Sequence, residues 1–176
     1  MFKVGIIGPE STGKSTLARY LARRYNGTYV PEYARTYVEE RVESGEWKAD
    51  SWQDAITYDD ICEIARYQID EIISLYSVSE RSERSVLCQA QPVFFDTELI
   101  VTKVWFDYAF GRVPEWLNES IHRYPMDAYL LTYPDLPWVP DPARSNGSDA
   151  IRLELFNRYE AEIQALDIPY YIIKHV

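Results

Sequence analysis

The sequence predicts an α/β fold, a three-layer sandwich in which helices cover both faces of a mostly parallel β-sheet. Short apolar runs alternate along the chain with longer runs of helical periodicity. Strands that are separated by helices pair in parallel and are joined by right-handed crossovers. The chain has 176 residues, of which 47% are hydrophobic and 26% charged, so we expect a single domain with its own core over residues 1–176.

The strands are predicted from apolar runs with many β-branched and aromatic residues. The first run, FKVGII, has the composition of a central strand that is buried on both faces. Pro31 limits the second run, GTYV, to a short strand or a turn. The predicted strands occupy residues 2–7, 27–30, 91–97, 127–133 and 169–174.

The helices are predicted from the runs between the strands. Leu17 and Leu21 recur at helical spacing in the first helix, and Gly45 is a stop signal for the second. Ser51 is a candidate N-cap for the third, one long or broken helix. The polar run SVSERSERS, residues 77–85, is the most linker-like stretch. The predicted helices occupy residues 14–25, 32–45, 51–76, 98–111, 114–124 and 150–166.

The composition excludes several classes of partner and site. The net charge of −10 argues against a nucleic acid or an anionic membrane, because both require a basic surface. There is no signal-peptide pattern and no apolar run of transmembrane length, so we expect a cytoplasmic protein. Cys62 and Cys88 form no disulfide framework, and His122 and His175 fit no zinc-ligand spacing.

The run GPESTGKST between the first strand and the first helix matches the P-loop pattern. Its glycines allow the backbone N–H groups to turn inward and form a nest for an anion, at the positive end of a helix. A P-loop lysine reaches the β- and γ-phosphates, and the following hydroxyl binds Mg²⁺. The sequence therefore predicts a P-loop NTPase that binds ATP and Mg²⁺. The residues expected to contact the nucleotide are Gly8, Glu10, Ser11, Thr12, Gly13, Lys14, Ser15 and Thr16.

Two carboxylates are expected near the P-loop, since each follows a predicted strand and the carboxyl ends of parallel strands share one edge. Asp96 ends the run VFFD, where it is suited to bind Mg²⁺; the alternative is a cap for a helix starting at Thr97. Glu32 follows the second strand, where it is suited to accept a proton from an attacking hydroxyl. The alternative is a favourable acid in the first turn of a helix. Arg35 is then an ion-pair partner of Glu32 or a substrate clamp.

Residues 134–149, PDLPWVPDPARSNGSD, predict a small lid because four prolines exclude regular structure. In phosphoryl transfer, an arginine that arrives when a lid closes neutralises developing charge, and Arg144 is the candidate. The alternative is a rigid surface loop in which Arg144 pairs with Asp141 or Asp149.

The motifs GPESTGKSTL, PEYARTYV, FFDTELIVTKVW, DAYLLTYPDLPWVPDPAR and IPYYII resemble a known family. The family is the ribosylnicotinamide kinase domain of the bacterial bifunctional NAD-salvage regulator, with its stand-alone P-loop (AAA ATPase-like) relatives. The resemblance runs from Lys3 to Ile173. The P-loop alone is unspecific, whereas its combination with EYAR, DT and the lid motif is much more specific. The resemblance implies a nucleoside-kinase-like P-loop fold with a small lid.

The resemblance also implies a reaction, in which ATP and Mg²⁺ are used to phosphorylate the 5′-hydroxyl of ribosylnicotinamide. By correspondence, Lys14 and Ser15 fall on the phosphate and Mg²⁺ residues, and Glu32 and Asp96 fall on two acidic active-site positions. Trp138 falls on an aromatic position next to the nucleoside, and an aromatic face attracts the pyridinium cation of this substrate.

In the lid segment, the resemblance places Asp141 and Arg144 on the lid motif, although residues 141–144 read Asp-Pro-Ala-Arg where the family usually has Asp-Gly-Leu-Arg. Two other functions stay open from the residues. One is a P-loop kinase for another nucleoside or small alcohol, and the other is a regulatory module that hydrolyses ATP slowly. The sequence predicts a small-molecule substrate and leaves the oligomeric state undetermined.

Overall fold

The computed structural model of the protein describes residues 1–48, 55–82, 91–139 and 148–175. The strands in these ranges are β1 (Phe2–Ile7), β2 (Thr28–Val30), β3 (Pro92–Asp96), β4 (Ala128–Thr132) and β5 (Tyr170–Ile173). The helices are α1 (Lys14–Arg24), α2 (Tyr33–Glu43), α3 (Tyr58–Ser82), α4 (Leu99–Phe110), α5 (Glu115–Arg123) and α6 (Asp149–Ala165).

The strands form one sheet in the order β2-β3-β1-β4-β5, and every described pairing is parallel. The predicted α/β fold is confirmed, and each strand lies within the run that predicted it. In this order β1 is central, and β3 and β4 flank it. The loops that follow β1, β3 and β4 therefore meet at one edge of the sheet, where open α/β sheets bind ligands.

The linker expected over residues 77–85 is wrong for the part that the structure describes, because α3 continues to Ser82. Glu and Arg are good helix formers, and extending a helix that has already formed costs little free energy. Ser51, the predicted N-cap, lies outside the described residues. Helix α3 begins at Tyr58 with a reciprocal cap: the Asp60 N–H donates to Thr57 Oγ1 (3.2 Å), and the Thr57 N–H donates to Asp60 Oδ2 (2.7 Å).

The core lies on both faces of the sheet. The larger apolar cluster joins one face to helices α3 to α6. On the other face, α1 packs through two small buried residues, Ala18 and Ala22, against Val4, Ile6 and Phe94. Alanines at this contact let the helix lie close to β1 and β3, which fixes its N-terminus beside the P-loop. In the ranges that the structure describes, no helix combines the length and apolar character needed to cross a bilayer.

Glu98 is a buried carboxyl group at the N-terminus of α4, where it accepts a hydrogen bond from the Ile100 N–H (2.9 Å). Gly5 leaves room for it, since a Cβ on Gly5 would lie 3.2 Å from Glu98 Cγ and 2.7 Å from the Tyr129 ring. Burial raises the pKa of Glu98 to about 8, although hydrogen bonds from the Ile100 and Leu99 N–H groups and from Tyr129 oppose the shift. The carboxyl group is therefore largely protonated in the folded protein at neutral pH.

Glu98 is expected to make the folded protein less stable as pH rises. The pKa of Glu98 in the folded protein, about 8, exceeds the value in the unfolded chain. At a pH between these two pKa values, the folded state therefore binds one more proton than the unfolded state. The free energy of unfolding then falls as pH rises through that window, with a slope approaching about 1.4 kcal/mol per pH unit. Glu98→Gln, which does not titrate, should lose this part of the slope in urea unfolding from about pH 5 to 8 without Mg²⁺ or nucleotide. Glu43→Gln, at an exposed position, is the control, and an unchanged slope in Glu98→Gln would contradict the assignment.

Candidate active site

The P-loop follows β1 and leads into α1, as predicted. Gly8 has φ 143°, and a Cβ on it would lie 2.3 Å from Thr132 Oγ1, so the close approach of β4 requires glycine here. Gly13, at the N-cap position of α1, has φ 79°. Ser11 has φ 56°, a left-handed conformation in the middle of the loop. Such reversals turn successive N–H groups to one side, which is the geometry of an anion nest.

Side chains hold the loop in this shape. The Thr12 hydroxyl lies 2.8 Å from the Pro9 carbonyl oxygen and 2.6 Å from Thr132 Oγ1. Thr132 Oγ1 also lies 3.1 Å from the Ile7 carbonyl oxygen, so β4 is tied to both ends of the loop. Lys14 Nζ donates to the Pro9 carbonyl (2.8 Å), which aims the ammonium group across the loop. The phosphate-binding backbone is therefore preorganised by contacts within the protein.

One cleft at this edge of the sheet contains all eight residues predicted to contact the nucleotide, together with Glu32 and Arg35. The Glu32 side chain makes no capping bond to α2 and lines the cleft instead. Burial raises the pKa of Glu32, and the negative charges of Asp96 and Glu10 add to the shift. Lys14 and Arg35 oppose it. The structure thus brings the predicted proton acceptor within electrostatic reach of the P-loop lysine.

Asp96 ends β3 beside the end of β1, in register with Ile6, and its side chain is buried. One carboxylate oxygen, Oδ2, accepts a hydrogen bond from the Tyr29 hydroxyl (3.0 Å). The other, Oδ1, is buried without a hydrogen-bond partner among the described residues. The alternative role as a helix cap is wrong, because α4 begins at Leu99 and Glu98 caps it.

These groups fit a magnesium ion. Mg²⁺ takes one or two protein oxygens, and water and phosphate oxygens complete its octahedron, so a cluster of carboxylates is not needed. A buried carboxylate oxygen with no partner, at the end of the strand next to the P-loop, is a suitable group. Asp96 and Ser15 are the residues that would hold the ion, directly or through water.

Asp96→Asn is expected to raise the Mg²⁺ concentration that half-saturates the predicted phosphoryl transfer, because a neutral amide attracts the cation less than a carboxylate does. Raising the concentration of Mg²⁺ should then recover part of the rate. The measurement is initial rate against Mg²⁺ at fixed ATP, with Asp70→Asn, an exposed carboxylate in α3, as the control. A Mg²⁺ dependence equal to that of the wild type would remove Asp96 from the metal site.

The remaining predicted site residues are Arg35 and the residues of the lid segment. Arg35 lines the cleft and also pairs with Glu39 (3.7 Å). The Trp138 indole N–H donates to the Glu10 carboxylate (3.5 Å), and Trp138 is not among the residues that line the cleft. Asp141 and Arg144 lie outside the described residues.

The second half of the cleft, which is mostly apolar, was not predicted from the sequence. Trp105 and Tyr159 are its aromatic residues, and Thr97 and Thr102 are polar residues in the same half. Within α4, cleft residues recur at i, i+1 and i+4, a pattern that in sequence is the same as that of a core-facing helix. The side chains of this half are Ala34, Val38, Ile56, Ile61, Ile64, Thr97, Val101, Thr102, Trp105, Leu155 and Tyr159.

Arg152 was also missed. It is almost completely buried in α6, where it donates to the backbone carbonyls of Glu10 (3.2 Å) and Leu136 (2.8 Å). It thereby ties the P-loop to the first residues of the predicted lid segment. A second residue far along the chain also contacts the loop, since His175 Nε2 lies 3.3 Å from the Thr12 carbonyl oxygen. An arginine in a helical run gives no sequence signal of burial, since this residue type is mostly exposed.

The chain is similar to known proteins over most of its length. It is 31% identical over 154 residues to the trifunctional NAD biosynthesis/regulator protein NadR of Escherichia coli (strain K12), an alignment that covers 88% of this chain and 33% of that protein. It is also 31% identical over 149 residues to the NadR of Salmonella typhimurium, an alignment that covers 85% of this chain and 32% of that protein. The chain thus spans about a third of the length of these curated relatives. The resemblance noted in the sequence is confirmed.

Solved structures show the same similarity. The crystal structure of a NadR protein in complex with NR matches this chain with a TM-score of 0.62 and 27% sequence identity. The match covers 97% of this chain and 43% of the NadR chain. The structure of NadR in complex with NAD and AMP-PNP matches with a TM-score of 0.64 and 27% identity. This match covers 99% of this chain and 44% of the NadR chain. Thymidylate kinase from Ehrlichia chaffeensis shares the fold at 14% identity, with a TM-score of 0.62 and coverage of 99% and 88%.

The family model of the AAA domain matches residues 3–176, which is nearly the whole chain, and the chain therefore belongs to this family of P-loop proteins.

Proposed function

We propose that the chain is an ATP-dependent kinase that transfers the γ-phosphate to the 5′-hydroxyl of ribosylnicotinamide, giving nicotinamide mononucleotide. The observation that carries the proposal is the composition of the cleft. A preorganised P-loop, a half-buried carboxyl group and a mostly apolar half line one continuous space. A phosphate donor and an organic acceptor can therefore lie side by side, as transfer requires.

The P-loop half is suited to hold the triphosphate of ATP. Backbone N–H groups of the loop and the N-terminus of α1 supply fixed dipoles, and Lys14 supplies a mobile positive charge. These groups stabilise the charge on the transferred phosphoryl group without reorganising during the reaction. Mg²⁺, held by Asp96 and Ser15, would neutralise part of the same charge.

The acceptor half is suited to hold a nucleoside. Its aliphatic side chains and Trp105 form an apolar wall on which a flat ring can lie. Ribosylnicotinamide carries a positively charged pyridinium ring, which the face of a tryptophan attracts. Trp105, rather than Trp138, is the tryptophan among the residues that line this space. The similarity to NadR, of which one structure contains NR, supports the choice of this acceptor.

In the proposed step, the acceptor hydroxyl oxygen forms a bond to the γ-phosphorus while the bond from that phosphorus to the bridging oxygen of ATP breaks. ADP leaves with the electron pair of that bond, and the hydroxyl proton passes to the Glu32 carboxylate. Burial raises the pKa of Glu32, so it is a stronger base than an exposed carboxylate would be. Glu32 also orients the hydroxyl towards the phosphorus, which matters most in a loose transition state.

The test is product detection. The protein is incubated with Mg·ATP with and without ribosylnicotinamide, and ADP and nicotinamide mononucleotide are separated by chromatography. Stoichiometric formation of both products, only when the acceptor is present, is expected. ADP formed at the same rate without acceptor would instead identify an ATPase. Transfer to a different nucleoside, and none to ribosylnicotinamide, would identify a P-loop kinase with another acceptor.

A further inference from the structure

Thr97, between β3 and α4, has a strained backbone. Its φ is 72°, in the left-handed region that a β-branched residue rarely occupies. Its N–H donates to the Ile6 carbonyl (3.0 Å), which fixes this conformation against the end of β1. Strain of this kind persists where the surrounding structure imposes it, and it is concentrated at functional sites. The strain therefore identifies Thr97 as a residue whose side-chain direction is set by its surroundings.

The Thr97 hydroxyl is also unsatisfied. The residue is only 5% exposed, and Oγ1 is buried without a hydrogen-bond partner among the described residues. An unpartnered buried hydroxyl costs free energy of folding, and a valine of the same shape would avoid that cost. Thr102, on the same wall of the cleft, provides a contrast, because its hydroxyl donates to Gln68 Oε1 (2.7 Å). Thr97 thus combines two costs to folding, and the fold itself draws no benefit from its hydroxyl.

The position of Thr97 indicates which part of a ligand the hydroxyl meets. Asp96 is in register with Ile6, so Thr97 follows β3 beside Ile7, the residue that precedes the P-loop. Thr97 lines the cleft together with Lys14 and Glu32. Thr97 belongs to the acceptor half of the cleft, but it follows the strand that pairs with β1 and therefore borders the P-loop, where a transferred phosphoryl group would lie.

We propose that Thr97 Oγ1 donates a hydrogen bond to a non-bridging oxygen of the terminal phosphoryl group of bound ATP. The proposal rests on the proposed function for the identity of the nucleotide. A hydrogen bond to a charged oxygen is stronger than one between neutral groups. Ligand binding therefore offsets the free energy that the unpartnered hydroxyl costs in folding. The contact makes Thr97 a residue that distinguishes ATP from ADP, since ADP lacks this oxygen.

The experiment compares Thr97→Val with Thr97→Ser and with Thr102→Val. Valine keeps the β-branch and the backbone strain and removes only the hydroxyl, while serine keeps the hydroxyl. Calorimetric binding of AMP-PNP and of ADP is measured at saturating Mg²⁺, and thermal unfolding is measured without ligand. Thr97→Val is expected to weaken AMP-PNP binding by about 10-fold and to leave ADP binding within about 2-fold. Thr97→Ser should bind AMP-PNP within about 2-fold of the wild type.

Without ligand, Thr97→Val should unfold at the same or a higher temperature, whereas Thr102→Val, which leaves Gln68 Oε1 unpaired, should unfold at a lower one. Unchanged AMP-PNP binding, or an equal weakening of AMP-PNP and ADP, would overturn the proposal. A lower unfolding temperature for Thr97→Val would show a structural role and would also overturn it. These readouts need no acceptor, so they remain decisive if the protein fails to phosphorylate ribosylnicotinamide.

Discussion

Replacing Lys14 with alanine is expected to lower the rate of phosphoryl transfer by about 10²–10³-fold or more, which is the range seen when one preorganised group that stabilises transition-state charge is removed. Lys14 lines the cleft and donates to the Pro9 carbonyl across the loop. In phosphoryl transfer, nearly all catalysis is positioning and electrostatic stabilisation, so a lost cation is not replaced by other chemistry. The measurement is kcat and KM for ATP with the acceptor saturating.

The fold of Lys14→Ala should persist. A lost hydrogen bond to a backbone carbonyl costs about 1 kcal/mol, which would shift thermal unfolding by only a few degrees. The matched control is Lys103→Ala, which removes a lysine that pairs with Glu162 (2.5 Å) and does not line the cleft. That variant should keep the full rate. Unchanged turnover in Lys14→Ala would remove the P-loop from the reaction, and a large loss of stability would mean that Lys14 mainly supports the fold.

The fold was predictable because each layer leaves a strong local signal in the sequence. A run such as VFFD has few ways to be buried other than as a strand, and Gly111 marks the end of α4. The one clear error, residues 77–82, arose because polar composition was interpreted as a linker. A polar run that extends a helix already formed has the same composition as a loop, so composition alone does not distinguish the two.

The site was predictable only in part, because sequence motifs indicate the backbone conformation that a site requires better than they indicate which side chains are in contact. The glycines of the P-loop and the carboxylates that follow β2 and end β3 were predictable from their position at the sheet edge. Trp105 was not predictable as a cleft residue, since its spacing in α4 is that of an ordinary core residue. The contact of Trp138 with Glu10 was not predictable either, because it depends on how the chain folds back over the P-loop. Thr97 belongs to the DT motif, but the motif gives no indication of its positive φ or of its unpartnered hydroxyl, because the φ of a β-branched residue cannot be inferred from its identity.

The other large effect is expected at Glu32, where Glu32→Gln should lower kcat by about 10²–10⁴-fold, the range for removal of a general base. A glutamine cannot take the proton of the attacking hydroxyl, although it keeps the size of the side chain. Affinity for Mg·ATP should stay within about 3-fold, because Glu32 acts on the acceptor and not on the phosphates. Glu43→Gln, at an exposed position near the end of the same helix, is the control and should keep the full rate.

The pH dependence gives Glu32 a signature of its own. A base works in its deprotonated form, so kcat/KM of the wild type should rise with pH through the pKa of Glu32 and then level off. Burial, with Asp96 and Glu10 nearby, raises that pKa, so the rise should lie closer to neutral pH than for an exposed carboxyl group. Glu32→Gln should lose this rise. Extra Mg²⁺ should restore part of the rate of Asp96→Asn and none of the rate of Glu32→Gln. If Mg²⁺ instead rescues Glu32→Gln and not Asp96→Asn, the carboxylates have exchanged roles, and Asp96 is the group that faces the acceptor.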